Sequence, residues 1–170
     1  LINKHRSAFV RQQVSKTVIQ LDTYDKRILK LLQTDGRISN QELADTIGLS
    51  PAACWRRVKA LEEQGVIRGF VALVEPRQVG QPLCVMAMVT LLRHSADSTV
   101  EFEERVRQYP EVLQCYAVTG TADFMLRVVI PDMESYDRFL NEKIFTISGI
   151  SQVHSNFALR EIKNETAIPV

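Results

Sequence analysis

Cysteine is scarce: Cys54, Cys84 and Cys115 stand far apart and without CxxC spacing. That disfavours both a disulfide framework and a thiolate zinc site. Glycine and proline are few, 7 and 6 in 170 residues, and no fibrous or low-complexity repeat is present. Long apolar runs are missing too. Val66-Ile67, Phe70 to Val74 and Val85 to Leu92 all fall far short of the ~20 residues of a membrane span. No charged-then-apolar signal segment opens the chain. His5, His94 and His154 are scattered without metal-ligand spacing, and no nucleophile–base pair, phosphate loop or paired catalytic carboxylate is recognisable. What is there, 45% hydrophobic and 24% charged residues, suits a soluble globular protein of a reducing compartment, with one ordinary domain or two small ones.

The net charge of +1 hides an asymmetry. Through Glu75, 12 basic residues face 8 acidic ones (net +4); from Pro76 onward, 9 face 12 (net −3). A basic front and an acidic back point to two modules with different partners. Residues 1–20 stand apart as a basic N-terminal extension carrying Lys4, Arg6, Arg11 and Lys16, with no acid before Asp22. A phosphate-touching arm is the sharper expectation there.

From Leu21 the pattern becomes helical. Leu21, Tyr24, Ile28, Leu31 and Leu32 share a stripe, with Asp22 or Thr23 as cap and Asp35-Gly36 as the stop, the glycine expected in the left-handed region. Ser39-Asn40-Gln41-Glu42 fits a capping box, and Leu43, Ala44 and Ile47 give a short apolar face closed by Gly48. Ser50-Pro51 opens a third helix that runs to about Gln64 and stops at Gly65. Val66 to Val74 is β-rich and reads as a small strand or wing. Pro76, Gly80 and Pro82 mark a linker over residues 76–82, so a tri-helical helix-turn-helix domain is expected over 21–75.

Residues 83–170 read strand, helix, strand, strand, helix, strand. The strands are expected near 83–93, 112–119, 123–131 and 152–161, the helices near 98–109 and 133–146. This is the ferredoxin-like βαββαβ order, which makes the whole chain α+β. Helices cover only one face of such a sheet. Apolar positions on the other face call for a further cover, most simply a second subunit.

A DNA-reading helix-turn-helix needs a tight turn and a capped second helix with one buried face. Gly48-Leu49-Ser50 supplies the turn. At 100° per residue, Cys54, Val58 and Leu61 point inward, which reads Cys54 as core rather than sensor, while Ala52, Arg56, Lys59 and Glu63 lie opposite. Ala52 and Ala53 permit close approach to base edges; Arg56 suits guanine or phosphate, and Arg57 and Lys59 suit the phosphate backbone. Trp55 falls between the faces. An ordinary three-helix unit with a solvated basic face is the plain alternative.

These residues carry a resemblance. The stretch LDTYDKRILKLLQTDGRISNQELADTIGLSPAACWRRVKALEEQGVIRGFVALVEPRQVG resembles the DNA-binding half of the Lrp/AsnC (feast/famine) transcription regulators. The segments PEVLQCYAVTGTADFMLRVVIPDMESYDRFL and SNFALREIKNETAIP resemble the second half of the same family, so the likeness spans residues 21–170 in order. It implies a winged helix-turn-helix joined to a βαββαβ effector-binding and oligomerisation domain. The implied protein is a cytoplasmic, nucleoid-associated regulator of amino-acid metabolism, with neither catalytic residues nor a cofactor. Its implied partners are double-stranded DNA, an amino-acid effector bound between dimers, and its own copies as dimer, tetramer or octamer, with no membrane partner. DNA contacts are expected from Ser39, Asn40, Ser50, Pro51, Ala52, Ala53, Trp55, Arg56, Arg57 and Lys59.

The effector loop implied by the resemblance is Val118 to Asp123. Its glycine suits a backbone nest for a carboxylate, Asp123 can pair with an α-ammonium, and Thr119 or Thr121 can add hydroxyl bonds. Ala117, Thr119, Gly120, Thr121, Asp123, Met133, Asn156, Phe157 and Ala158 form the expected effector set, which suits a short apolar or thioether side chain. A second loop acid common in the family is absent here, where Thr121 and Ala122 stand. A plain hairpin turn is the alternative for this loop. Two other functions compete, the first because such proteins resemble the family. One is a sirohaem-decarboxylase-like enzyme subunit, which calls for tetrapyrrole-contacting histidines. The other is a DNA-packaging nucleoid protein of low sequence preference.

Overall fold

The structure, a computed structural model, describes residues 18–92 and 96–170. The basic residues expected to form an arm, Lys4 to Lys16, lie outside the described residues, as do His5 and His94. Two compact units form. One runs to Ala72 and takes in Glu165–Val170; the other is Leu73–Asn164.

The first unit contains helices α1 (Thr23–Thr34), α2 (Asn40–Ile47) and α3 (Pro51–Glu63). Asp22 caps α1 in a full capping box: its Oδ1 accepts the Asp25 N–H at 2.8 Å, and Asp25 Oδ2 accepts the Asp22 N–H at 3.2 Å. Ser39 and Glu42 repeat the device on α2, and Ser50 caps α3 ahead of Pro51. The core gathers Ile28 and Leu29 of α1, Leu43, Ala44 and Ile47 of α2, and Cys54 and Leu61 of α3. Each large side chain there contributes about 1.5–3 kcal/mol by leaving water.

Several local expectations need correction. Gly36 does not adopt a positive φ; α1 ends on Asp35 in extended backbone, whereas Gly48 (φ 77°) does close α2 in the left-handed region. Val66 to Val74 forms no strand. The amides of Val66 and Ile67 both turn back to the Leu61 carbonyl, at 2.9 and 3.0 Å, so the chain curls around the end of α3. Phe70, Val71, Leu73 and Val74 beyond them are exposed. The chain end, expected with the second domain, instead joins the first unit. Gln33 of α1 clasps the Ile168 backbone from both sides, Nε2 donating to its carbonyl at 3.0 Å and Oε1 accepting its N–H at 2.6 Å.

The second unit opens with a 3-10 turn, Pro76–Val79, followed by β1 (Leu83–Leu91), α4 (Ala96–Val106), β2 (Val112–Ala117), β3 (Phe124–Ile130), α5 (Met133–Phe139) and β4 (Ile150–Phe157). Its sheet has the order β2-β3-β1-β4 with every neighbouring pair antiparallel, the ferredoxin-like arrangement expected. Val85, Ala87, Val89 and Leu91 alternate along β1 into a core shared with Phe102, Leu126, Val128, Tyr136, Phe139 and Ile144. The Phe102 and Phe124 rings meet with centroids 4.6 Å apart.

The elements are shorter than their hydrophobic patterns. β4 stops at Phe157 because β1 begins at Leu83; Ala158 donates the final ladder bond, 2.9 Å to the Cys84 carbonyl. α4 tightens to three-residue hydrogen bonds at Gln108 and Tyr109, and α5 passes into a π turn over Leu140–Ile144. The second sheet face bears Met86, Met88, Met125, Arg127, Tyr116 and His154 in neighbouring register positions.

Candidate DNA-reading face and effector loop

The turn Gly48–Ser50 sets α3 against α2, and the side chain of Asn40 fastens the joint by donating from Nδ2 to the Pro51 carbonyl at 2.9 Å. Asn40, Ser50, Pro51, Ala52, Ala53, Trp55 and Arg56 thereby line one open depression of about 570 Å³. Seven of the ten expected DNA contacts share this surface. Cys54, buried in the core, supplies the opposite side of α3, and burial pushes its thiol up.

Trp55, left between faces by its helical angle, is 54% exposed and points to the depression. Lys59 lies over its ring at 5.0 Å and pairs with Glu63 at 3.8 Å, so its charge is held beside the depression rather than lining it. Arg56 is exposed and has no ion-pair partner among the described residues. Ser39 is occupied as a helix cap: its hydroxyl donates to Glu42 at 2.7 Å and accepts the Glu42 N–H at 3.2 Å.

Arg57, also expected to contact DNA, is engaged within the unit. Its Nη1 lies 2.7 Å from Asp22 Oδ2 and 2.7 Å from Asp25 Oδ1, and its guanidinium sits 5.3 Å from the Tyr24 ring centroid. The two carboxylates hold the arginine charge inside the unit and raise its already high pKa. The sequence placed Asp22 as a helix cap and Tyr24 on the apolar stripe, but tied neither of them, nor Asp25, to Arg57. The signal was present as acids three apart at a helix start, but nothing local tied them to a residue 35 and 32 positions later.

In the second unit the candidate effector residues form two groups. Ala117, Thr119, Gly120, Thr121 and Asp123 belong to the turn between β2 and β3, beside the Leu91 end of β1. Gly120 takes φ 117°, which favours glycine. The Val118 N–H donates to the Asp123 carbonyl at 2.9 Å, and the Thr90 hydroxyl donates to the Thr121 carbonyl at 3.3 Å. Asp123 is tied to β1 twice: its N–H donates to the Val89 carbonyl, and its Oδ2 accepts the Leu91 N–H, both at 2.9 Å.

Asn156, Phe157 and Ala158 instead pair with Met86, Val85 and Cys84 at the start of β1, and Met133 opens α5 just past the β3 residue opposite Leu83. From Cys84 to Leu91 is about 23 Å at ~3.3 Å per residue. One copy of the chain does not bring the two groups into one pocket.

The sequence profile of winged helix-turn-helix DNA-binding domains matches residues 21–68. That of the Lrp/AsnC ligand binding domain matches residues 84–168. The chain belongs to the Lrp/AsnC family. Its membership makes it a DNA-binding transcriptional regulator with a ligand-binding domain. Among its relatives, the DNA-binding transcriptional activator DecR of Escherichia coli K12 is 36% identical over 150 residues, 88% of this chain and 99% of DecR. The leucine-responsive regulatory protein of the same strain is also 36% identical over 150 residues, 88% of this chain and 92% of that one.

Among solved Lrp/AsnC-like structures, a transcriptional regulator of Neisseria meningitidis in complex with L-methionine superposes with a TM-score of 0.84 at 37% identity, covering 88% of this chain and 97% of its own. An AsnC family regulator of Agrobacterium tumefaciens gives 0.83 at 40% identity, with the same two coverages. These relatives are transcription regulators rather than enzymes. Among the described residues, no helix is long and apolar enough to cross a membrane, and no three His, Cys, Asp or Glu side chains converge as a metal site.

Proposed function

We propose that this Lrp/AsnC chain reads specific DNA sites through the α2–α3 face, under the control of a small amino acid bound between dimers. On this reading it acts on genes of amino-acid metabolism in the cytoplasm, as a homodimer that assembles further. Asn40, Ser50 to Ala53, Trp55 and Arg56 form the groove-facing surface. Ala52 and Ala53 allow close approach, and Arg56 is the side chain best suited to a guanine edge. Lys59 contributes phosphate attraction next to Trp55.

The observation that carries the effector reading is the division of the candidate residues between opposite ends of β1. A single pocket that uses both groups needs the loop of one copy and the Met133 and Asn156–Ala158 region of another. A ligand so placed binds an assembly rather than a protomer, and it regulates through its different affinities for assembly states. The backbone amides around Gly120 suit the ligand carboxylate and Asp123 suits the α-ammonium. Met133 and Phe157, 56% and 38% exposed, offer apolar surface to a short aliphatic or thioether side chain. The bound L-methionine of the Neisseria meningitidis regulator is of that class.

Thermal-shift screening against the twenty amino acids tests this reading, since a selective ligand stabilises the native assembly by mass action. A rise confined to a few apolar or thioether amino acids, accompanied by a change in light-scattering mass, is the expected result. No selective shift at millimolar concentration would contradict it.

A further inference from the structure

We propose that Arg57 is a positioning residue for DNA reading: through Asp22 and Asp25 it fixes the recognition helix α3 to the first turn of α1, and it does not touch DNA. The carboxylates are shared out with no overlap. Asp22 uses Oδ1 for the cap of α1 and Oδ2 for Arg57; Asp25 uses Oδ2 for the cap and Oδ1 for Arg57. Both acids are therefore already oriented by the helix they cap, and the arginine meets a preformed two-carboxylate seat. Tyr24, one residue into α1, closes the seat from its ring face at 5.3 Å.

The consequence follows from helix geometry. Arg57 is adjacent to Arg56 and two residues past Trp55, so fixing its azimuth fixes theirs, at 100° per residue. Asn40 pins the start of α3 through the Pro51 carbonyl, and Arg57 pins it two turns on. Between these pins lie Ala52, Ala53, Trp55 and Arg56, four of the seven residues that line the depression. The proposal rests on the DNA-reading role of that face.

Anisotropy titrations of the full chain test it, with a duplex enriched from random DNA by the wild type and with a scrambled duplex, each across a salt series. Circular dichroism first establishes that every variant is folded at the titration temperature. Asp22→Asn keeps a good helix cap while removing one of the two charges that hold Arg57, and Asp25→Asn removes the other. Although both variants make the protein more positive, each is expected to lower affinity for the enriched duplex by roughly three- to tenfold, the range of a coupled charge pair, and to narrow its margin over the scrambled duplex. Arg57→Gln is expected to do the same with a salt slope unchanged from wild type.

A phosphate contact predicts the reverse: Arg57→Gln would lower the slope by ~0.9, and the released arginine of Asp22→Asn would raise affinity for both duplexes. Either result overturns the proposal, as would folded variants that bind like wild type. Should Arg57→Gln fail to fold, Asp22→Asn alone decides by the sign of its effect. A wild type that bound no duplex would sink the reading face and the clamp together, whereas wild-type binding with altered slopes sinks the clamp alone.

Discussion

In the first unit, the residues proposed to read DNA occupy one surface made by two consecutive helices and the turn between them. In the second, the residues proposed to hold an effector lie at both ends of a nine-residue strand, about 23 Å apart. The first arrangement is complete in a single copy and its geometry is set by local devices: two capping boxes, a left-handed glycine and one side-chain bond from Asn40. On the proposed reading, the second is completed only when copies meet. The contrast explains how one chain can separate reading from sensing. A change in assembly alters how many DNA-reading faces act together without requiring any of them to change shape.

The largest expected effect separates the units by stability. Phe102→Ala removes a fully buried ring tilted against that of Phe124, and by about 3–5 kcal/mol it should weaken the second unit. Calorimetry should then show that unit melting at lower temperature while the helical unit keeps its transition. A single cooperative shift of the whole chain would deny the units their independence.

Next comes the loop. Asp123→Ala loses both the charge and the acceptor for the Leu91 N–H, whereas Asp123→Asn keeps an acceptor. Both should abolish most of the amino-acid response, a coupling of about 1–3 kcal/mol, but only the alanine variant should also lower the melting temperature. An asparagine variant with full response, read by DNA titration with and without the amino acid, would reduce the loop to a hairpin turn.

A smaller and sharper change belongs to Arg56, exposed in the depression. Arg56→Ala should relax discrimination at one base pair by about 1–3 kcal/mol, visible as a broadened preference when binding is selected from random DNA.

The smallest effect is pH-dependent. Asp22, Glu42 and Asp132 are held below the ordinary carboxyl range chiefly by the hydrogen bonds they accept as helix caps. A depressed folded value means the unfolded chain takes up protons first as pH falls. Their contribution is therefore fully present at neutral pH and fades below about pH 4. Two of the three lie in the first unit, so Asp22→Asn with Glu42→Gln should lower its stability slightly at pH 6–8 and flatten the further loss seen in wild type on the acid limb, read from its helical signal.

How much of this was legible in advance divides along the same line. The three helices, their caps and the inward face of α3 follow from short-range spacing; of the residues lining the depression, spacing marked Ala52, Ala53 and Arg56, and the family resemblance supplied Asn40, Ser50, Pro51 and Trp55. The ferredoxin-like order was readable from alternation and turn signals, but element ends were not. β4 stops where its partner strand begins, which no property of residues 158–161 records. Val66 to Val74 has β-prone side chains yet forms no strand, because its first amides turn back to Leu61. The ion pairs of Arg57 were hidden for a related reason: on the helical wheel it borders a basic face, and only tertiary structure brings Asp22 and Asp25 to it. The split of the effector set was equally hidden, since sequence order says nothing of which end of a strand a residue will meet.

The chain's single tryptophan, Trp55, stands on the proposed DNA-reading face. Its emission is therefore the most direct report on the central claim. Titration with the enriched duplex should quench and shift it, with a midpoint that matches anisotropy of the labelled DNA and weakens with salt. The amino-acid effector alone, bound in the other unit, should leave the emission unchanged. DNA that binds by anisotropy yet leaves Trp55 emission untouched would place the interface elsewhere and contradict the account.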